Sequence, residues 1–164
     1  MRAIIACLLL SCFLAGCTEI PALRTIQFTS IEEGDALAKE NPIIAETFVD
    51  MGQGATTNRS QLRVAFLNFE NISLLAVRPE GVNWCSDEKG CNTGFYRKQP
   101  DGTFSMIGGL ASYVPIYTLA CENSVYLVFT MPKQKTLAVW QVLESEMVLM
   151  EKPLSSESAN PCQD

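Results

Sequence analysis

Histidine is missing from this 164-residue chain altogether. That absence removes the Ser-His-Asp and Cys-His nucleophilic mechanisms, along with mixed cysteine and histidine metal sites. Cations are scarce: 12 Lys+Arg stand against 18 Asp+Glu, for a formal net charge of −6, and no Lys/Arg stripe occurs. Binding a nucleic-acid backbone needs clustered cations that displace counterions, so the composition argues against a nucleic-acid partner and favours a basic or neutral one. No C-x-x-C pair and no G-K-[ST] phosphate loop is present, and we find neither an internal repeat nor a low-complexity segment. The uncharged stretch Ala3 to Ala15 falls short of the roughly 20 residues that a membrane-spanning helix requires.

The amino-terminal stretch has a different meaning. Met1-Arg2 supplies a minimal positive end, an uncharged apolar segment follows, and Leu14-Ala15-Gly16-Cys17 closes it with small residues before a cysteine. This is the layout of an export signal. Leu14-Ala15-Gly16-Cys17 resembles the lipobox of bacterial lipoproteins. The resemblance implies that the Cys17 thiol receives a diacylglyceryl group, that the chain is cut before it, and that the new amino group is acylated. Several acyl chains together give stable membrane anchoring. Thr18 stands where the family's inner-membrane retention signal has aspartate, which implies the outer membrane, facing the periplasm. The resemblance covers about a tenth of the chain and is silent on the folded domain.

Cysteine usage follows from that compartment. Cys7 and Cys12 leave with the signal and Cys17 carries lipid, so Cys85, Cys91, Cys121 and Cys162 remain. An even set in an oxidising envelope predicts two disulfides. Of three connectivities, Cys85–Cys91 with Cys121–Cys162 is preferred, because Ser86-Asp87-Glu88-Lys89-Gly90 is a short polar loop with a glycine able to turn. The Cys85 and Cys91 spacing does not match a zinc knuckle, and no metal or other cofactor is expected.

The expected organisation is a signal peptide at 1–16, a lipidated amino terminus with tether and candidate first strand at 17–29, one globular domain at 30–152 and a polar tail at 153–164 held by a disulfide. Ser30 and Glu33 fit a capping box for a first helix, and Asn41-Pro42 fits an N-cap with proline at the first helical position. In the second segment Ile44, Phe48 and Met51 recur at helical spacing, with Gly52 where the helix would end. The stripe is short, so it predicts packing on a sheet.

From Leu62 onward the pattern becomes strand-like: Leu62 to Phe69, Ile72 to Val77, Phe95 to Lys98, Thr103 to Ile107, Tyr113 to Leu119, Val125 to Thr130, Thr136 to Val142 and Met147 to Glu151. Pro100-Asp101-Gly102 is a hairpin signal, and Gly108-Gly109 is expected to bend the chain between strands. Short links imply antiparallel pairing. The predicted fold class is α+β, mainly an antiparallel β meander with one or two short amino-terminal helices.

Candidate chemistry is sparse. Gly52-Gln53-Gly54 lacks the remaining elements of a phosphate loop, and Glu144 and Glu146 are expected as solvated hairpin charges. No catalytic residue is assigned. The best binding candidate is the stapled segment around Trp84, Asp87, Glu88 and Tyr96, since a disulfide loop lowers the ordering cost of binding and Trp and Tyr are enriched at interface hot spots. The competing explanation is that the aromatics simply cover the disulfide. The sequence therefore points to a non-catalytic envelope lipoprotein acting as a macromolecule-binding or envelope-assembly module. Its partners would be the membrane, through lipid, and a protein. The alternatives are a lipocalin-like small-ligand carrier or an inhibitor of a basic host enzyme such as lysozyme.

Overall fold

A computed structural model describes residues 23–53, 61–81, 84–88, 90–112, 115–121, 124–130 and 137–150. The lipobox with Cys17 and the tail with Cys162 lie outside these residues. The elements are β1 (Arg24–Thr25), β2 (Thr29–Ile31), α1 (Ala36–Glu40), α2 (Pro42–Gln53), β3 (Gln61–Asn68), β4 (Ser73–Glu80), β5 (Cys85–Ser86), β6 (Gly90–Lys98), β7 (Phe104–Ser112), β8 (Ile116–Cys121), β9 (Ser124–Thr130), β10 (Leu137–Val142) and β11 (Met147–Leu149). All strand pairings are antiparallel.

The strands form two open sheets. One runs β2-β3-β4-β6, with β7 and the short β5 both paired to β6, and the other runs β1-β8-β9-β10-β11. Strands alternate side chains between faces, so Leu74, Ala76 and Phe95 of the first sheet and Ile116, Val125, Leu127 and Phe129 of the second meet in one buried layer. The sheets pack face to face through it. Three residues between β1 and β2 carry the chain from one sheet to the other, and Ile26 is buried in the shared layer on the way.

The helices cover part of the outer face of the first sheet. Asn41 Oδ1 accepts from the backbone N–H of Ile43 at 3.1 Å and of Ile44 at 3.4 Å, and Pro42 opens α2. This is the N-cap that Asn41-Pro42 predicts. Ile44 and Met51 are buried and Phe48 half-buried against Leu62, Val64, Leu75 and Val77. The capping box at Ser30 and Glu33 does not form. Ser30 instead pairs with Arg63 in the sheet, and α1 begins after Asp35, whose carboxylate accepts from the Glu32 N–H at 3.0 Å.

Strand boundaries also differ from expectation: the strand expected at Phe95 to Lys98 begins at Gly90, and the one expected to end at Val77 runs on to include Arg78, Pro79 and Glu80. Pro79 is tolerated because β6 pairs with β4 only from Leu74 to Val77, so the missing N–H falls beyond that ladder. Gly108-Gly109 lies within β7 and makes no bend. The extra residue there is Ile107: Phe95 pairs with Gly108 and Tyr96 with Met106. This bulge turns Ile107 into the shared layer while Met106 stays outside. A Cβ on Gly108 would sit 2.8 Å from Met147 Cε, the movable end of that side chain, so the other sheet comes close here and a larger residue would make Met147 shift.

Candidate functional site

The stapled hairpin forms as the cysteine spacing predicts. Gly81, at φ 139°, opens a turn in which its carbonyl accepts from the N–H groups of Trp84 at 3.0 Å and Cys85 at 2.9 Å. Cys85 and Cys91 face each other across β5 and β6 and are joined by a disulfide. Gly90, at φ 71°, supplies the left-handed backbone that closes the loop. Asp87 and Glu88 lie at the exposed turn between the two strands.

The aromatic members of the candidate set behave differently. Trp84 and Tyr96 are half-buried and pack against the cluster beneath α2. Tyr96 lies five residues along β6 from Cys91, about 17 Å at strand rise. The hairpin tip and Tyr96 are therefore not one contact patch. The Tyr96 ring lies over Gly94, where a Cβ would sit 3.0 Å from its Cε2. Burial raises the Tyr96 phenol above its ordinary pKa, and the Glu46 and Asp50 carboxylates on α2 add to the shift. The aromatics thus act mainly as cover for the sheet, and the acidic turn is the part presented to solvent.

Cys121 is also disulfide-bonded, with a partner outside the described residues. It stands at the end of β8 beside a buried cluster of Leu119, Tyr126, Val128 and Val139 on the outer face of the second sheet.

Three features escaped the sequence reading. At the end of the molecule where the β3–β4, β6–β7 and β10–β11 turns meet, an open cleft of about 350 Å³ is lined by residues that include Glu70, Arg97, Lys98 and Glu144. Arg97 Nη1 donates to the Leu143 carbonyl at 3.0 Å, tying the two sheets together there. Glu144 and Glu146 are exposed, as hairpin charges should be.

The second feature is Arg78, 1% exposed and on the inner face of the first sheet. Its Nη2 donates to the Ser112 carbonyl at 3.1 Å, and its guanidinium carbon lies 5.7 Å from the centroid of the Phe28 ring. Burial lowers its pKa, an effect that Glu80 opposes. Nε and Nη1, like the neighbouring hydroxyls of Thr93 and Ser112, make no hydrogen bond. A strand expected to stop at Val77 gave no reason to place a cation between the sheets.

The third is an apolar surface that α2 leaves open. Phe66 is 44% and Met106 60% exposed, and Phe66 meets Phe104 edge to face at 6.3 Å between ring centroids. Alternation identifies Phe66 as an apolar position of β3, but cannot tell that the helix stops short of it.

Among the described residues no group of three acidic, cysteine or histidine side chains could hold a metal ion, and no helix is long and apolar enough to cross a membrane. No protein-family model matches the chain, and comparisons with curated proteins and with solved structures gave no match.

Proposed function

We propose that this chain is a non-catalytic lipoprotein of the bacterial cell envelope whose folded domain binds another macromolecule, with a basic protein as the favoured partner. The observation that carries this reading is the Cys85–Cys91 hairpin, which holds Asp87 and Glu88 at an exposed turn on a disulfide-closed scaffold. A closed loop loses little freedom on binding, and a negative tip on a chain of net charge −6 attracts cationic surfaces. The carrier alternative draws no support from two open sheets whose facing sides fill the layer between them. Inhibition of a basic host enzyme such as lysozyme is one concrete form of the proposal.

In this reading Cys17 carries the lipid, the domain faces the periplasm from the outer membrane, and Cys121 pairs with Cys162 to tie down the tail. Crosslinking in intact cells, followed by recovery of the lipidated chain, tests the proposal. A crosslinked basic protein is the expected result. A chain that crosslinks to no other kind of macromolecule would contradict it.

A further inference from the structure

The outer face of the second sheet is apolar and closed to solvent. Leu119 on β8, Tyr126 and Val128 on β9 and Val139 on β10 form one buried cluster there, with Val128 1% and Val139 2% exposed. A sheet face left to water carries polar side chains, and valines on a bare face would keep their solvent contact. Both helices pack on the first sheet. Beyond the second sheet's own strands, Met150 is the one described apolar residue that packs on the cluster.

Two residues mark where a cover begins and ends. Met150, the last described residue, donates its N–H to the Val139 carbonyl at 2.8 Å. Cys121, on the far side of the cluster, is disulfide-bonded to a cysteine outside the described residues. Cys85 and Cys91 bond each other, so with Cys7 and Cys12 in the export signal and Cys17 lipidated, Cys162 remains. Val139, Val128 and Tyr117 stand side by side in register, and Cys121 lies four residues farther along β8, about 13 Å at strand rise. Three strand spacings, about 14 Å, separate β11 from β8. The anchors are therefore roughly 20 Å apart, and the twelve residues from 151 to 162 can reach about 40 Å. The inner face is filled by the layer shared with the first sheet, so the direct route between the anchors runs over Val139, Val128 and Tyr126.

We propose that residues 151–162 cross the outer face of the second sheet as a strap, bonded through Cys162 to Cys121, with Leu154 lying over Val128 and Val139. Leu154 is the one large apolar side chain in this stretch, and Pro153, which has no N–H, suits a chain leaving the β10 ladder. The β9–β10 link at 131–136 is a weaker candidate, because Thr130 and Leu137 pair directly and the link closes its own hairpin. The strap rests on the Cys121–Cys162 pairing of the proposed function and is independent of the acidic turn, so either can fail alone. It makes the polar tail the outermost layer of the domain, which keeps an apolar face from being presented to other molecules.

Three readouts on the full chain test the proposal. Digestion without reduction should yield a peptide joining Cys121 to Cys162. A photoreactive amino acid at Leu154 should crosslink within the same chain to β9 or β10. Hydroxyl-radical labelling should find Tyr126 protected in the native protein, and Leu154→Asp should raise its labelling at least fivefold while Phe129, in the shared layer, stays protected. Leu154→Met should leave Tyr126 protected. If Leu154→Asp exposes Phe129 as well, the crosslink decides. Cys121 bonded to any other cysteine, no crosslink from position 154 to β9 or β10, or unchanged Tyr126 protection in the Leu154→Asp protein would each overturn the proposal. A probe at Lys133 that reaches Tyr126 when the probe at 154 does not would assign the cover to the β9–β10 link instead.

Discussion

Arg63 and Arg78 face each other directly across the β3–β4 pair, two cations on the same face of one sheet. Like charges in opposing positions destabilise a sheet, and Glu80 resolves the conflict by approaching both. Its Oε2 lies 2.7 Å from Arg63 Nε, and its Oε1 lies 3.8 Å from Arg78 Nε, within ion-pair range but too long for a hydrogen bond. The Arg63 pair is partly solvated and is worth little, so the weight of Glu80 falls on buried Arg78. Removing one partner of a buried charge is costly, while replacing the charge by an apolar group of similar size is often neutral.

Glu80→Gln is accordingly expected to destabilise the domain by about 1–3 kcal/mol, whereas Arg78→Met should leave stability unchanged or raise it. In the Arg78→Met background the Glu80→Gln cost should largely vanish. Denaturant unfolding of the four proteins in this double-mutant cycle checks the account, and equal Glu80→Gln costs in both backgrounds would contradict it.

The β6–β7 turn has a pH-dependent contribution. Thr103 donates to Asp101 Oδ1 through its hydroxyl at 2.6 Å and its backbone N–H at 2.9 Å, while Gly102, at φ 88°, lets the turn close. The two bonds, the hydroxyl first, hold the Asp101 carboxyl below its ordinary value of 3.8. A depressed carboxylate favours the folded state above its ordinary pKa. That contribution is therefore complete at neutral pH and fades as pH falls through the lower folded-state value. A carbon-13 NMR titration should place Asp101 below the ordinary value, and Thr103→Val should move it up. A midpoint that Thr103→Val leaves unmoved would show that the Thr103 hydroxyl does not set it.

The cysteine framework makes a chemical prediction. Alkylation of the denatured, unreduced mature protein should modify none of Cys85, Cys91, Cys121 and Cys162. Replacing Cys85 and Cys91 together by serine should cost about 2 kcal/mol, the value expected for so short a loop, with little change in the sheets. Stoichiometric labelling of two or more of the four in the native sequence would refute two disulfides.

Anchoring is tested at Cys17. A fatty-acid analogue should label the native protein, while Cys17→Ala should abolish labelling and leave uncleaved precursor. Label retained on the Cys17→Ala protein would remove the lipoprotein reading.

Features decided by neighbours in sequence were legible from it. Asn41-Pro42 starts a helix and Pro100-Asp101-Gly102 turns a hairpin because a cap or turn is settled within a few residues. The sequence pattern located the longer strands but missed β1, β2 and β5, and the polar loop between Cys85 and Cys91 located their bond. What alternation cannot encode is which sheet a strand joins. β1 and β2, three residues apart, separate into different sheets, and nothing local distinguishes them.

The same limit hid Arg78, whose burial depends on strands far along the chain, and it misread Gly108, which continues β7 where Met147 of the other sheet comes close. In the candidate site the acidic turn was recognisable from its residues. Tyr96 was grouped with it by proximity in sequence, yet strand geometry carries it away to the cover beneath α2.

The central claim is that the acidic turn of the stapled hairpin recruits a basic partner, and double charge reversal, Asp87→Lys with Glu88→Lys, tests it most directly. Both residues are exposed, so substitution there should change stability by no more than about 0.5 kcal/mol. Crosslinked partner recovered from intact cells is the measurement, with thermal unfolding of the same variant as control. The account predicts at least a tenfold loss of recovered basic partner with an unchanged melting temperature, because steering and complementarity depend on the sign of the surface potential. Recovery equal to that of the native protein would contradict it.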